Sequence, residues 1–322
     1  MDLSRVTVFC FAASYVVALA LEATALLRGG PPAGLSWWAL SRRATLLCVA
    51  IAGLFAHLAY LGLRAAGQAT PLSSPADWCL VAAAAIAAVY VGVSVRDARS
   101  AAGLFLLPIV LALVALAQTA SDEPFTAERA SLFWGQTHGW LLAAGAASVS
   151  IGFVAGLMYL VQSWRLKRKL PPNTGLGLPS LEWLERCNAW SLAASVWLVA
   201  GGFGSGVVLA AIGKPTGGRL SGLLADPVVL TSGAMLGWLL VAETFRWAYP
   251  PARTGRKVAY LTVTAFGFLA ITLASVAAGG VGHGALAAPA SEQTATGLPT
   301  AAPAGGFPPP EAAQPTESSR VG

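Results

Sequence analysis

The sequence predicts an all-α integral membrane protein, a bundle of about eight transmembrane helices, and three observations lead there. Only 11 % of the 322 residues are charged while 56 % are hydrophobic, too little polar material to clothe a water-soluble domain of this size. The apolar residues fall in eight runs of about 18 to 25 residues, close to the ~20 that a helix needs to cross a hydrocarbon core. The runs are continuous rather than ten-residue alternations, which selects helices over a closed barrel, the other structure that satisfies its backbone in lipid.

The first run, 6–27, follows MDLSR. It is long for a signal peptide and has Arg28 beyond its end, so it reads as an uncleaved span. The second, 44–65, follows Arg42 and Arg43 and closes on Arg64. The third, 78–95, is short, but Trp78 and Arg96 are sound interfacial anchors at its ends. The fourth is 101–118. In the loop 119–137, a short interfacial helix is expected from Thr126, with Glu128 and Arg129 in its first turn and Phe133 and Trp134 in the headgroup layer. The fifth span, 138–162, runs into the basic tract RLKRK and stops at Pro171 and Pro172. Ser180 opens the next helix, which enters the membrane near Ala189 and continues as the sixth span, 190–212. The seventh is 227–245 and the eighth 258–279. One membrane domain, 1–284, is thus followed by a tail, 285–322, dominated by Ala, Pro, Gly, Ser and Thr. Such a tail cannot bury a core and is expected to be disordered.

Charge sets the expected orientation. The loops 28–43, 96–100, 163–189 and 246–257 hold 14 of the 20 basic residues, all on one side of an eight-span chain. The opposite side has Arg5, Arg64, Arg129, Lys214, Arg219 and Arg320 and most of the acid, including Asp77, Asp122, Glu123, Glu128 and Asp226. The positive-inside rule then puts both termini, and the tail, outside the cytoplasm of a cell inner (cytoplasmic) membrane. The net charge of +6 is spent on topology and on contact with membrane lipid, and no nucleic-acid partner is expected.

Cys10, Cys48, Cys79 and Cys187 form no C-x-x-C or C-x-x-C-H pattern, so they read as small apolar packing residues. Gly152 and Gly156, and Gly202 and Gly206, have small-xxx-small spacing, read as close packing within the bundle. Intramembrane charge is sparse, which argues against a small-solute transporter. Glu22 and Glu243 are the exceptions, and Arg246, three residues after Glu243, is placed to neutralise it.

Three histidines remain. His57 lies deep in the second span, with Arg64 seven residues on along the same face. Facing the bundle, it can ligate a metal, relay a proton or hydrogen-bond a backbone carbonyl. His138 opens the fifth span and His283 follows the eighth, so the expected topology puts both on the extracytoplasmic face. Two imidazoles there are either solvated interfacial residues or an axial pair for haem iron.

Four stretches carry a family resemblance: HLAYLGLRAAGQATPLSSPADW from His57, THGWLLAAGAASVSIGFVAGLMYLVQSWRLKRKL from Thr137, LPSLEWLERCNAWSLAASVWLVAGGFGSGVVLA from Leu178, and GRKVAYLTVTAFGFLAITLASVAAGGVGHG from Gly255. Together they resemble the integral-membrane cytochrome c assembly protein family, its CcsA- and HemX-like members and, more distantly, CcmC, over nearly all of 45–285. The resemblance implies cytochrome c biogenesis: His138 and His283 as axial ligands of a haem b, His57 as ligand of a haem within the membrane, and partners in a maturation subunit and apocytochrome c. It implies a haem chaperone or assembly scaffold, with no bond chemistry of its own. Two departures accompany it. The family's tryptophan-rich loop corresponds to 214–233, where only Asp226 and Pro227 keep the pattern; Trp134 and Trp140, near His138 in sequence, are the aromatics available in its place. A second intramembrane histidine of the family corresponds to Arg246, which cannot ligate iron. A membrane regulator or scaffold of haem metabolism that binds no haem, working through the basic loop 163–189, is the alternative.

Overall fold

A computed structural model describes residues 7–27, 37–68, 71–97, 100–120, 129–169, 177–212, 226–249 and 255–279. They form eight helices: α1 (Val8–Leu27), α2 (Trp37–Gly67), α3 (Pro75–Arg96), α4 (Gly103–Ala117), α5 (Arg129–Lys167), α6 (Leu181–Ile212), α7 (Pro227–Ala248) and α8 (Arg256–Gly279). There is no strand among the described residues. Six helices are long and apolar enough to cross a membrane, and the apolar parts of α1 and α4, Val8–Thr24 and Gly103–Ala117, are shorter. The chain is therefore a multi-pass, all-helical membrane protein. Large apolar side chains point outward along it, Phe9, Phe55, Trp190 and Trp197 among them, as lipid allows and water does not.

The helices close into two rings of four. In the first, α1 packs on α2 and α4, and α3 packs on the same two. In the second, α5 packs on α6 and α8, α7 packs on the same two, and α6 also meets α8. Contacts of α3 and α4 with α5 join the rings. Phe11, Tyr15, Ile86, Tyr90, Leu107 and Val110 fill the first interior, and Val149, Leu192, Met235, Leu239 and Leu269 fill the second.

Local chemistry starts several helices where the sequence changes. Ser74 caps α3 by accepting from the Asp77 N–H at 3.2 Å, and Asp77 returns a bond from the Ser74 N–H at 3.1 Å, a reciprocal capping box. Asp226 accepts from the Val228 N–H at 2.8 Å and Pro227 follows it in the first turn of α7. Ser180 accepts from the Trp183 N–H at 3.3 Å, the expected start of α6.

One expectation changes. Phe133 and Trp134 do not belong to a separate interfacial helix: they lie in the first turns of α5, which runs unbroken for 39 residues. At 1.5 Å per residue that is about 58 Å, far beyond a hydrocarbon core of about 30 Å. No glycine or proline interrupts the segment from Arg129 to Trp134, and the helix has no reason to break there. Residues 121–128, where the start was expected, lie outside the described residues.

The small-xxx-small positions do pack. A Cβ on Gly202 would stand 2.6 Å from Leu142, and one on Gly156 would stand 2.8 Å from Thr262. These glycines let α6 and α8 approach α5 closely.

Candidate functional site

His138 sits near one end of the second ring, between α5 and α6. Its Nδ1 lies 2.7 Å from the Gly202 carbonyl and 3.4 Å from Ser205 Oγ. The Ser205 hydroxyl donates its proton to the same carbonyl at 2.7 Å, so Nδ1 faces two acceptors and must carry the N–H. The other ring nitrogen, Nε2, then holds a lone pair, the form in which an imidazole ligates a metal. Gly206 makes room for the ring: a Cβ there would stand 2.9 Å from His138 Cε1. Gly202, Ser205 and Gly206 were not singled out as site residues in the sequence. Their signal was the run GGFGSG, which reads equally well as packing.

The two tryptophans near His138 go different ways. Trp140 is half exposed and meets Trp78 of α3 edge to face, ring centroids 5.4 Å apart. Trp78 in turn lies against Gly139, where a Cβ would fall 2.1 Å from the indole. Two residues along a helix is more than half a turn, so Trp140 and His138 point to opposite sides of α5. Trp134, four residues before His138, is on its side and pairs with Phe133 at 5.7 Å. Gln136 fastens this end to the α2–α3 turn by donating to the Pro71 and Leu72 carbonyls. His283 lies outside the described residues.

His57 is in the other ring. It is fully buried, stacked on Phe11 at 4.1 Å with the rings 2° from parallel, and its Nδ1 is 3.2 Å from the Tyr15 hydroxyl. Its partner is thus a side-chain hydroxyl rather than a backbone carbonyl. Its Nε2 is buried without a hydrogen-bond partner. One turn on, Tyr60 takes a long bond of 3.5 Å from Arg64, whose Nε is paired with Asp77. The Asp77 side chain is wholly buried and Arg64 is 20 % exposed. Toward the opposite end of the ring, Tyr90 of α3 donates to Glu22 at 3.4 Å, and Arg42 of α2 reaches the Leu21 carbonyl at 3.5 Å.

The second ring is different inside. Ser148 and Ser195 both donate to the Ser191 carbonyl, at 3.0 and 2.6 Å, and Thr262 donates to Ala259 at 3.0 Å. The crevice these groups line has no room for a water molecule. Its charged pair is at the end: Arg246 grips Glu243 through two nitrogens at 2.6 and 3.1 Å and reaches the Ala189 carbonyl at 3.4 Å. The expected i,i+3 pairing is there, and it directs Arg246 to protein groups.

Among the described residues no three His, Cys, Asp or Glu side chains converge as a metal site. No protein-family model, curated protein or solved structure matches the chain.

Proposed function

We propose that this chain is a haem-handling integral membrane protein of cytochrome c biogenesis, spanning an inner (cytoplasmic) membrane eight times with both termini outside. The observation that carries the reading is His138. An imidazole locked by its Nδ1–H onto a backbone carbonyl, with Nε2 left as a donor, is the arrangement that second-shell bonds give a metal-ligating histidine. His138 and His283 would hold the iron of a haem b, and Trp134, on the His138 side of α5, would lie against the macrocycle edge. Trp140 would belong to the wall shared with Trp78. His57, with a buried and unpartnered Nε2, remains a candidate ligand for a haem within the membrane. Bound haem would bring the iron and vinyl groups that maturation attaches. The chain itself would position and present haem to a maturation subunit and apocytochrome c, without bond chemistry of its own.

The test is a visible spectrum of the detergent-purified protein from haem-replete cells, oxidised and reduced. A Soret band with sharp reduced α and β bands, lost in a His138→Ala, His283→Ala double variant, is the expected result. Full parental absorbance in that variant would refute the ligand assignment.

A second reading is a scaffold that binds no haem. Two observations favour it: 214–233 contains no tryptophan, and the end of α5 presents Arg165, Lys167, Arg168 and Lys169 within five residues, Arg168 lying 4.6 Å over the Trp164 ring. Partner capture that survives loss of all three histidines but not neutralisation of RLKRK would select it.

A further inference from the structure

The first ring carries ionisable groups at three depths, and nothing in haem presentation calls for all of them. At one end are Arg64 and Asp77, with the Asp77 carboxylate wholly buried. In the middle are His57 and Tyr15, both fully buried. Toward the other end are Glu22 of α1 and Tyr90 of α3, with Arg42 of α2 beside them. The spacing is regular because it is helical. Arg64 follows His57 by seven residues on α2, and Glu22 follows Tyr15 by seven on α1, so each step is about 10 Å along the axis. α1 and α2 run in opposite directions, Tyr15 meeting His57 and Leu21 meeting Arg42, so the two steps extend the array both ways from the middle, to about 20 Å in all. That covers most of a hydrocarbon core of about 30 Å. Ionisable side chains at such depth are costly and are kept for a function.

The chemistry at each depth is that of proton exchange. Tyr15 and Tyr90 hydroxyls both accept and donate. His57 has one nitrogen on Tyr15 and the other buried without a partner, so it can take a proton on one side of the ring and release one from the other. Between His57 and Glu22 the fully buried residues Ala18, Ala50 and Ala87 are small.

We propose that the interior of α1–α4 is a proton path across the membrane, running between Asp77 and Arg64, His57 and Tyr15, and Glu22 and Tyr90, with transient water bridging the intervals. Each passage moves one proton. His57 gains it at one nitrogen and loses one from the other, and the Glu22 carboxylate takes it and releases it at the far end. Only O–H and N–H bonds form and break, nothing is oxidised, and the membrane's own proton gradient or potential supplies the drive. The path stands apart from the His138–His283 site, since its groups lie in α1–α3 and His138 lies between α5 and α6; it shares His57 with the reading of a haem within the membrane and requires that Nε2 of His57 be free of iron.

The experiment uses the full chain, purified without added haem and reconstituted in liposomes that enclose a pH-sensitive dye. A potassium diffusion potential set with valinomycin drives protons inward. Acidification several-fold faster than in protein-free liposomes is expected, falling to that background in Glu22→Gln and His57→Phe and severalfold in Tyr15→Phe. Glu243→Gln, in the second ring, should keep the parental rate. Gel filtration confirms that each variant remains monodisperse, and Tyr15→Phe, which removes a single oxygen atom, serves should His57→Phe fold poorly. A parental rate equal to that of empty liposomes, or one unchanged in folded Glu22→Gln and Tyr15→Phe, would overturn the proposal. Neither result bears on the part of the haem spectrum that depends on His138, so that assignment and the proton path fail separately.

Discussion

The two four-helix rings solve the same packing problem with different interiors. The second ring uses glycines and hydroxyls: Gly156 and Gly202 bring α8 and α6 against α5, and Ser148, Ser195 and Thr262 return their protons to nearby carbonyls. These hydroxyls are satisfied from within, although the buried Asn188 Oδ1 has no hydrogen-bond partner, and the crevice beside Ser148 and Ser191 leaves no space for water. The first ring instead buries Asp77 beside Arg64, His57 beside Tyr15, and Tyr90 beside Glu22. Hydroxyls on backbone carbonyls add a bond without adding a charge, and they suit a rigid frame that holds His138 in one orientation. Buried ionisable groups stabilise a bundle only while both partners are present. An interior that keeps them is suited to moving charge rather than to holding a shape.

That contrast is easiest to break at Asp77. Asp77→Ala removes the carboxylate paired with Arg64 and the capping box of α3 together. Loss of the cap costs about 1 kcal/mol, and loss of the ion pair by Arg64, 20 % exposed, adds to it, by less than the ~3–5 kcal/mol of a fully buried charge left uncompensated. A large fall in unfolding midpoint in mild detergent is expected, whereas Glu243→Gln, at the rim of the second ring, should move it much less. Equal shifts would erase the distinction between the rings.

Next in size is a wedge in the second ring. Gly206→Val drives side-chain carbon into His138, where even a Cβ would stand 2.9 Å from the imidazole. Overpacking of this kind costs about 1–3 kcal/mol. The ring would also turn away from the Gly202 carbonyl, so haem absorbance per mole of protein should drop, while proton flux through the first ring stays at the parental rate.

A double-variant comparison sharpens the reading of His57. Tyr15→Phe leaves the buried imidazole with neither nitrogen bonded, at a cost of about 1–2 kcal/mol. Adding His57→Phe removes the orphaned polar group as well, and stability should recover in part. A double variant less stable than Tyr15→Phe alone would show that His57 is held by something other than its hydroxyl partner.

How much of this was legible in the sequence follows from which forces are local. Each of the eight apolar runs coincides with one of the eight helices among the described residues, because backbone satisfaction in lipid is decided within each segment. Ser180 and the Glu243–Arg246 pair were readable for the same reason: cap and partner lie three residues apart. The division into two rings was not, since it depends on which outward faces meet, and Ala and Gly are too common in every span to mark a face. His57 was visible as an intramembrane histidine, but Phe11 and Tyr15 are more than 40 residues away and look like ordinary span residues. The tautomer of His138 was likewise hidden, because the Gly202 carbonyl that sets it belongs to a helix 64 residues on. Trp140 shows the reverse limit. It is two residues from His138 in sequence, yet the helical turn sends it to Trp78 on the opposite side of α5.

The smallest effect is expected at the exposed end of α6. Arg186 and Glu182 are paired one turn apart, 69 % and 77 % exposed. Such surface pairs contribute a few tenths of a kcal/mol, roughly, and less in salt. Glu182→Ala should leave the unfolding midpoint, haem absorbance and proton flux within error of the parent, which makes it the control for all three.

The most direct measurement is the reduced visible spectrum of the purified protein beside that of a His138→Ala variant folded to the same unfolding midpoint. Sharp α and β bands in the parent, lost or broadened in the variant, are expected if the second ring holds haem iron through His138. Identical spectra, or no Soret band in protein purified from haem-replete cells with haem loss in detergent controlled, would contradict it and leave the scaffold as the reading of the second ring.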